Sequence, residues 1–248
     1  MCATEQEDGA ATEDTRSRAA RAAEARVLPA AVRRLADDLG ASRERTSHVL
    51  MLQKGQVLLM RRFSPVTFAA IEKVGVSAPA FTWKSRYRWF GFPIGAIHEY
   101  FTPLSAGRSI RAGWSESVVD TQEQDEQWAA AALRYLAELP WHADSIVFND
   151  AIIWDVRGRG RIRAALRYGE NLAKVAIDLS ADGAVARIRA NRPVATKNGF
   201  QSRAWAMEFS AYRLFETRWV PTLAEVSWED GNKRQIYRRI EVEDWTCR

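Results

Sequence analysis

From Thr46 onward, apolar and polar residues alternate with a period of two for most of the chain, and that property restricts the fold more than any motif does. Successive side chains of a strand point to opposite faces, so such alternation marks strands with one face buried and the other wetted. Candidate strands are 47–63 with a break near Gly55, 80–90, 95–102, 108–114, 152–156, 161–168, 171–179, 184–191, 205–216, 219–228 and 234–243. "RGRG", "YGEN", "ADGA" and "EDGN" join several of them. Links this short make antiparallel neighbours, because a parallel crossover needs about a dozen residues or more. The pattern predicts a long antiparallel meander, and sheets of about ten strands tend to curl.

Helical composition is confined to two places. Residues 1–15 are acidic, rich in Ala and Thr and without apolar periodicity, which predicts a disordered tail. Within 16–45 the good helix formers dominate, and a short helix followed by "PAAVRRLADDLG" is expected. The second helix should end at Gly40, with Val32, Leu35, Ala36 and Leu39 on its docking face. The other helix is 122–139. Thr121 and Gln124 stand in capping-box spacing, Trp128, Ala131, Ala132, Tyr135, Leu136 and Leu139 form one stripe, and Pro140 terminates it. Without a partner helix of comparable length, its stripe must be buried against the sheet. The expected architecture is therefore mainly β (α+β): an antiparallel meander over 46–248 curled around a cavity, the amphipathic helix covering the concave face, and a helical N-terminal extension.

Composition and charge serve to exclude. A chain of 248 residues that is 47% apolar and 27% charged can bury a sizeable core. Net charge is +5, but Glu5, Glu7, Asp8, Glu13 and Asp14 crowd the first 14 residues, so the remainder carries about +10. Its bases are spread through alternating segments such as "RGRGRIRAALRYG", which favours wetted strand faces over a nucleic-acid surface. Cys2 and Cys247 imply neither a disulfide framework nor a metal-binding pair. No leader-like pattern and no apolar run of roughly 18 residues stand out, so a cytoplasmic location without a membrane span is expected.

Few residues offer chemistry. Arg134 and Glu138 are four apart on the helix, which makes an ion pair; alternatively Glu138, beside Tyr135, faces the cavity as an acid or base. His142 follows Pro140, where a protonated imidazole would complement the helix C-terminus or take part in catalysis. His98 and Glu99 are adjacent in a strand, so only one of them sees the cavity; if it is His98, a partnership with Glu138 or His142 becomes possible. His48, His98 and His142 lack metal-ligand spacing, no G-x-S-x-G is present, and no Gly-rich loop leads from strand to helix. No metal or cofactor is expected. Ten tryptophans are many for this length; most must fill the core, with Trp83, Trp128, Trp154 and Trp205 candidates to line a pocket alongside Tyr135, and Arg134 and Glu138 at its rim.

The runs "LPAAVRRLADDLG", "VLMLQKGQVLL", "FAAIEKVGVSAPAFTWKSRYR", "LRYLAELPWHADSIVF" and "IIWDV", with the closing "WVPTLAEVSW" and "YRRIEVEDW", resemble a family of bacterial proteins of unknown function. The likeness extends from about Leu28 to Trp245, and the Arg-Tyr-Leu-Ala-Glu element is its most specific part. It implies an architecture similar to the half-barrel of periplasmic lipoprotein carriers, an unclosed antiparallel sheet wrapped around an apolar cavity. Two departures stand out. No export signal is visible, and "HEY" at 98–100 occupies the place where an Asp before the aromatic is expected. Two functions fit: binding of an apolar or amphipathic small molecule, lipid-like or polyketide-like, or a cofactor-independent cyclase, isomerase or hydrolase with Glu138 as acid or base.

Overall fold

The computed structural model describes residues 27–58, 65–112, 115–119, 124–157, 161–196 and 199–248. The acidic tail expected at 1–15 and the first short helix expected within the N-terminal segment lie outside the described residues, as does Thr121. Two meanders share one sheet. The first comprises β1 (His48–Val57), β2 (Val66–Gly75), β3 (Phe81–Trp89), β4 (Phe92–Phe101), β5 (Ala106–Ala112) and β6 (Ser115–Val119). The second comprises β7 (Ile153–Arg157), β8 (Arg161–Tyr168), β9 (Asn171–Leu179), β10 (Val185–Thr196), β11 (Gly199–Phe215), β12 (Arg218–Asp230) and β13 (Lys233–Cys247). They join where β1 pairs with β13, giving a 13-stranded antiparallel sheet with β6 and β7 at its two free margins. The sheet does not close, and the expected half-barrel is what forms.

Local chemistry explains the links. Gly169, Gly183 and Gly231 all take positive φ in the "YGEN", "ADGA" and "EDGN" turns, a conformation that glycine adopts without a Cβ penalty. Gly55 does not interrupt its strand as expected. β1 runs through it to Val57, and the missing side chain is what lets the Phe68 ring pack there, since a Cβ would stand 2.6 Å from it. β2 was not among the expected strands. Its inward residues are Val66, Phe68, Ala70, Glu72 and Val74, and outward Ile71 is 53% exposed, so an acid inside and an isoleucine outside hide the alternation.

Helix α1 (Ala30–Asp38) buries Val32, Leu35 and Ala36, with Leu39 beneath them, against a short helix α3 (Asp144–Phe148) and β7. Helix α2 (Gln124–Ala137) lies across the concave face, touching β4 and β5 on one side and β8, β9 and β10 on the other. Trp128, Ala132, Leu133, Tyr135 and Leu136 are buried beneath it, and full burial of each large side chain contributes about 1.5–3 kcal/mol. The helix stops at Ala137 and not at 139, because Leu139–Trp141 tighten into a 3-10 turn around Pro140. Trp141 is pinned at both ends: its indole N–H donates to the Pro221 carbonyl at 2.7 Å, and its own carbonyl accepts from Trp245 Nε1 at 2.7 Å.

Candidate functional site: a waist of arginines on the concave face

Strand register builds the site. Glu72 of β2 pairs with Trp83 of β3, Trp83 with Glu99 of β4, and Glu99 with Arg108 of β5. Directly opposed residues share a face, so these four form one row across the concave side. Arg134 descends onto that row from α2, and each edge of its guanidinium meets a different carboxylate. Nη2 contacts Glu72 Oε1 at 2.5 Å, Nη1 contacts Glu99 Oε2 at 2.5 Å, and Nε contacts Glu138 Oε1 at 2.8 Å. Its plane lies over Phe81 and Trp83, 4.7 and 5.0 Å from the ring centres. Gln53 of β1 completes the floor, donating to Glu72 Oε2 at 2.6 Å and accepting from Trp83 Nε1 at 3.0 Å. Arg108 holds the other oxygen of Glu99.

Glu72, Glu99 and Arg134 titrate far from their ordinary values. Burial raises Glu72 to about 8, against the pull of Arg134 and with a further push from Glu138. Burial also opposes ionisation of Glu99, but Arg108, Arg134, Arg238 and Arg192 together outweigh it and hold that carboxyl at about 2. For Arg134 burial disfavours the charge, whereas Glu138, Glu72 and Glu99 overcome it and raise the group further. Glu138 Oε2 is buried and has no hydrogen-bond partner among the described residues. With the proton that burial keeps on Glu72, the two cations Arg134 and Arg108 stand against two other acids, Glu99 and Glu138.

Above this floor the concave face holds a cavity of two lobes, each about 370 Å³, that share Glu99, Arg108, Arg134, Arg192 and Tyr237 as a waist. One lobe has a wall of Val57, Val66, Tyr87, Ile94, Ile97 and Ile110, with Arg111 and Arg238 also lining it. The other runs under α2 past Phe81, Ala130, Ala131, Phe200 and Trp228. Arg192 stacks on Trp205 at 5.4 Å, and Arg238 stacks on Trp83 at 4.7 Å and Phe68 at 5.2 Å. Tyr237 is held by Trp205, whose indole N–H donates to its hydroxyl at 2.9 Å, and by the Trp228 ring stacked 5.4 Å away.

Residues 18–240 match DUF6544, a family of unknown function. The chain belongs to that family. The resemblance read from its motifs is thereby borne out. Among solved structures, this DUF6544 member is similar to a domain from Vibrio parahaemolyticus described as an outer membrane lipoprotein-sorting protein, with 7% identity over 87% of this chain and 90% of that one and a TM-score of 0.49. It is also similar to the LolA superfamily protein NE2245 from Nitrosomonas europaea, with 7% identity over 88% and 93% of the two chains and a TM-score of 0.44. No curated protein matches it.

The sequence-derived candidates in this DUF6544 chain are only partly brought together. Arg134 and Glu138 form their ion pair, yet Glu138 lies behind the guanidinium and lines neither lobe. His98 is corrected outright: Glu99 takes the inward position, so His98 is exposed on the outer face with Lys84 and Arg86. Tyr135 and His142 are sealed in a separate network. Tyr135 donates to the Gly75 carbonyl at 3.0 Å and receives Asn149 Nδ2 at 2.8 Å, while His142 meets Ser145 Oγ at 2.9 Å and the Tyr135 carbonyl at 3.1 Å. Burial lowers His142 to about 4, so it is neutral there and not the protonated cap expected. Trp83, Trp128, Trp154 and Trp205 belong to the core or pack against it and line neither lobe, because the curved interior needs their volume. Trp128 stacks on Tyr168 and donates to the Pro103 carbonyl at 3.2 Å, while Trp83 and Trp205 support the arginines from below.

Sequence reasoning missed Gln53, Glu72, Arg108, Arg192, Arg238 and Tyr237. Glu72 alone left a readable sign, an acid at an inward position of "VTFAAIEKV". Glu99 was reachable by elimination once His98 turned outward.

Proposed function

We propose that this DUF6544 chain binds an apolar or amphipathic small molecule, lipid-like or polyketide-like, on the concave face of its half-barrel. The observation that carries the reading is the two-lobed cavity itself, with largely apolar walls and polar groups concentrated where the lobes meet, the usual composition of a small-molecule site. Its walls come from strands and a helix, so the shape is set before a ligand arrives. A cytoplasmic setting belongs to the same proposal and is checked by fractionating cells that express the chain. Among the described residues no helix is long and apolar enough to cross a membrane. The enzymatic alternative has no observation in its favour, since Glu138, Tyr135 and His142 line neither lobe.

Native mass spectrometry and solvent extraction of the purified chain test the reading. A co-purifying apolar molecule, or saturable binding of a hydrophobic dye, is expected in the native sequence. Val57→Trp, which fills one lobe, should weaken binding by roughly tenfold or more through lost space and contact. No bound molecule and no dye binding would sink the proposal.

A further inference from the structure

The waist carries more cation than its surroundings use. Arg108 and Arg134 are matched by Glu99 and the buried acids beneath. Arg192 and Arg238 are half-buried, line the cavity and form no ion pair among the described residues. Glu99, the carboxylate of the apolar lobe, is already bound by two other arginines. A half-buried cation with no ion pair of its own is costly, and a fold that needed only apolar walls would not retain two of them. Neither side chain is loose. Each guanidinium carbon sits over an indole, and Arg238 also reaches Tyr87 Oη at 3.2 Å. A cation held over an indole is restrained by that contact and keeps N–H donors for an oxyanion. Beside Arg238, the lobe wall of Val57, Val66 and Ile94 offers no polar side chain.

We infer that the ligand is an anionic amphiphile, a single alkyl or acyl chain ending in a carboxylate or phosphate, with its head between Arg192 and Arg238 and its tail along the lobe of Val57, Val66 and Ile94. The inference rests on the binding role proposed above and adds the charge and the orientation of the ligand. Arg192 comes from β10 and Arg238 from β13, so the head is gripped by one half of the sheet while the tail rests on the other.

Four ligands with one chain length test it on the full chain: dodecanoate, dodecyl phosphate, dodecanol and dodecyltrimethylammonium, each followed by displacement of a fluorescent probe and by native mass spectrometry. At least one anion should bind roughly 10- to 100-fold tighter than the alcohol, the gain typical of hydrogen bonds to a charged group, and the cation no tighter than the alcohol. Which anion binds better assigns the head. In Arg192→Gln/Arg238→Gln the ratio of anion to dodecanol affinity should collapse toward one; a preference that survives there overturns the assignment to these two arginines. Equal binding of alcohol and anions overturns the inference and leaves the cavity reading standing. Failure of all four ligands and of the probe to bind overturns both. The comparison of head groups in the native sequence decides the matter even if the variant does not fold.

Discussion

A carboxyl with no exposed surface must be neutralised by a proton or by a partner, and Glu72 draws on both. It meets Arg134 and Gln53, yet its proton affinity is raised to about 8 from an ordinary 4.5 because burial outweighs that help. Between those two pH values the folded chain keeps a proton that the unfolded chain has lost. Stability therefore falls as pH rises from about 4.5 to about 8 and is constant beyond, a contribution of a few kcal/mol. Glu72→Gln retains the hydrogen-bonding shape without the titration. Its urea midpoint should decline less than that of the native sequence across this range. His142, whose folded value near 4 makes stability rise with pH up to its ordinary 6.5, is common to both proteins and cancels in the difference. Parallel pH curves for the two would show that Glu72 is ionised throughout.

At the level of elements, Asp144 is where the N-terminal segment is fastened. At the start of α3 it accepts from the Ser42 amide and the Thr46 hydroxyl, both at 2.8 Å, and from Arg218 Nη2 of β12 at 2.9 Å. Asp144→Ala removes all three of these hydrogen bonds and leaves buried Arg218 with the exposed Glu216 as its remaining carboxylate, so a loss of about 3 kcal/mol is expected in denaturant unfolding. Asp144→Asn keeps one acceptor oxygen and should lose less; equal losses would mean that the charge is irrelevant. How much of this was legible follows the range of each contact. Turns such as "YGEN" and the Arg134–Glu138 spacing depend on neighbours in sequence, and both are present as read. The other partners of Arg134 lie 35 and 62 positions away and are fixed by strand register, which no local pattern encodes. β2 escaped notice for the related reason that its inward set contains Glu72, a residue intelligible only once α2 is in place. Aromatic count indicated a large interior but not which rings would face open space.

For the molecule as a whole, every pairing within each meander joins strands consecutive in sequence, and a single long-range pairing, β1 with β13, unites them. Trp245 stands on that seam opposite Met51, and its ring is buried while its N–H holds the Trp141 carbonyl. Trp245→Ala should cost about 3–5 kcal/mol and weaken both meanders together. Hydrogen exchange followed by mass spectrometry would read this as a parallel loss of protection in β3 and β11; loss in one alone would mean that the halves fold independently. The unclosed sheet carries a further consequence, at its margins. Open rows of backbone donors and acceptors are templates onto which a neighbouring molecule can add a strand. Among the described residues they fall on β6 and β7, which at five residues each are the shortest strands, against 17 for β11. Over its described residues the half-barrel thus stays accessible to a small guest while giving copies of itself little edge on which to polymerise.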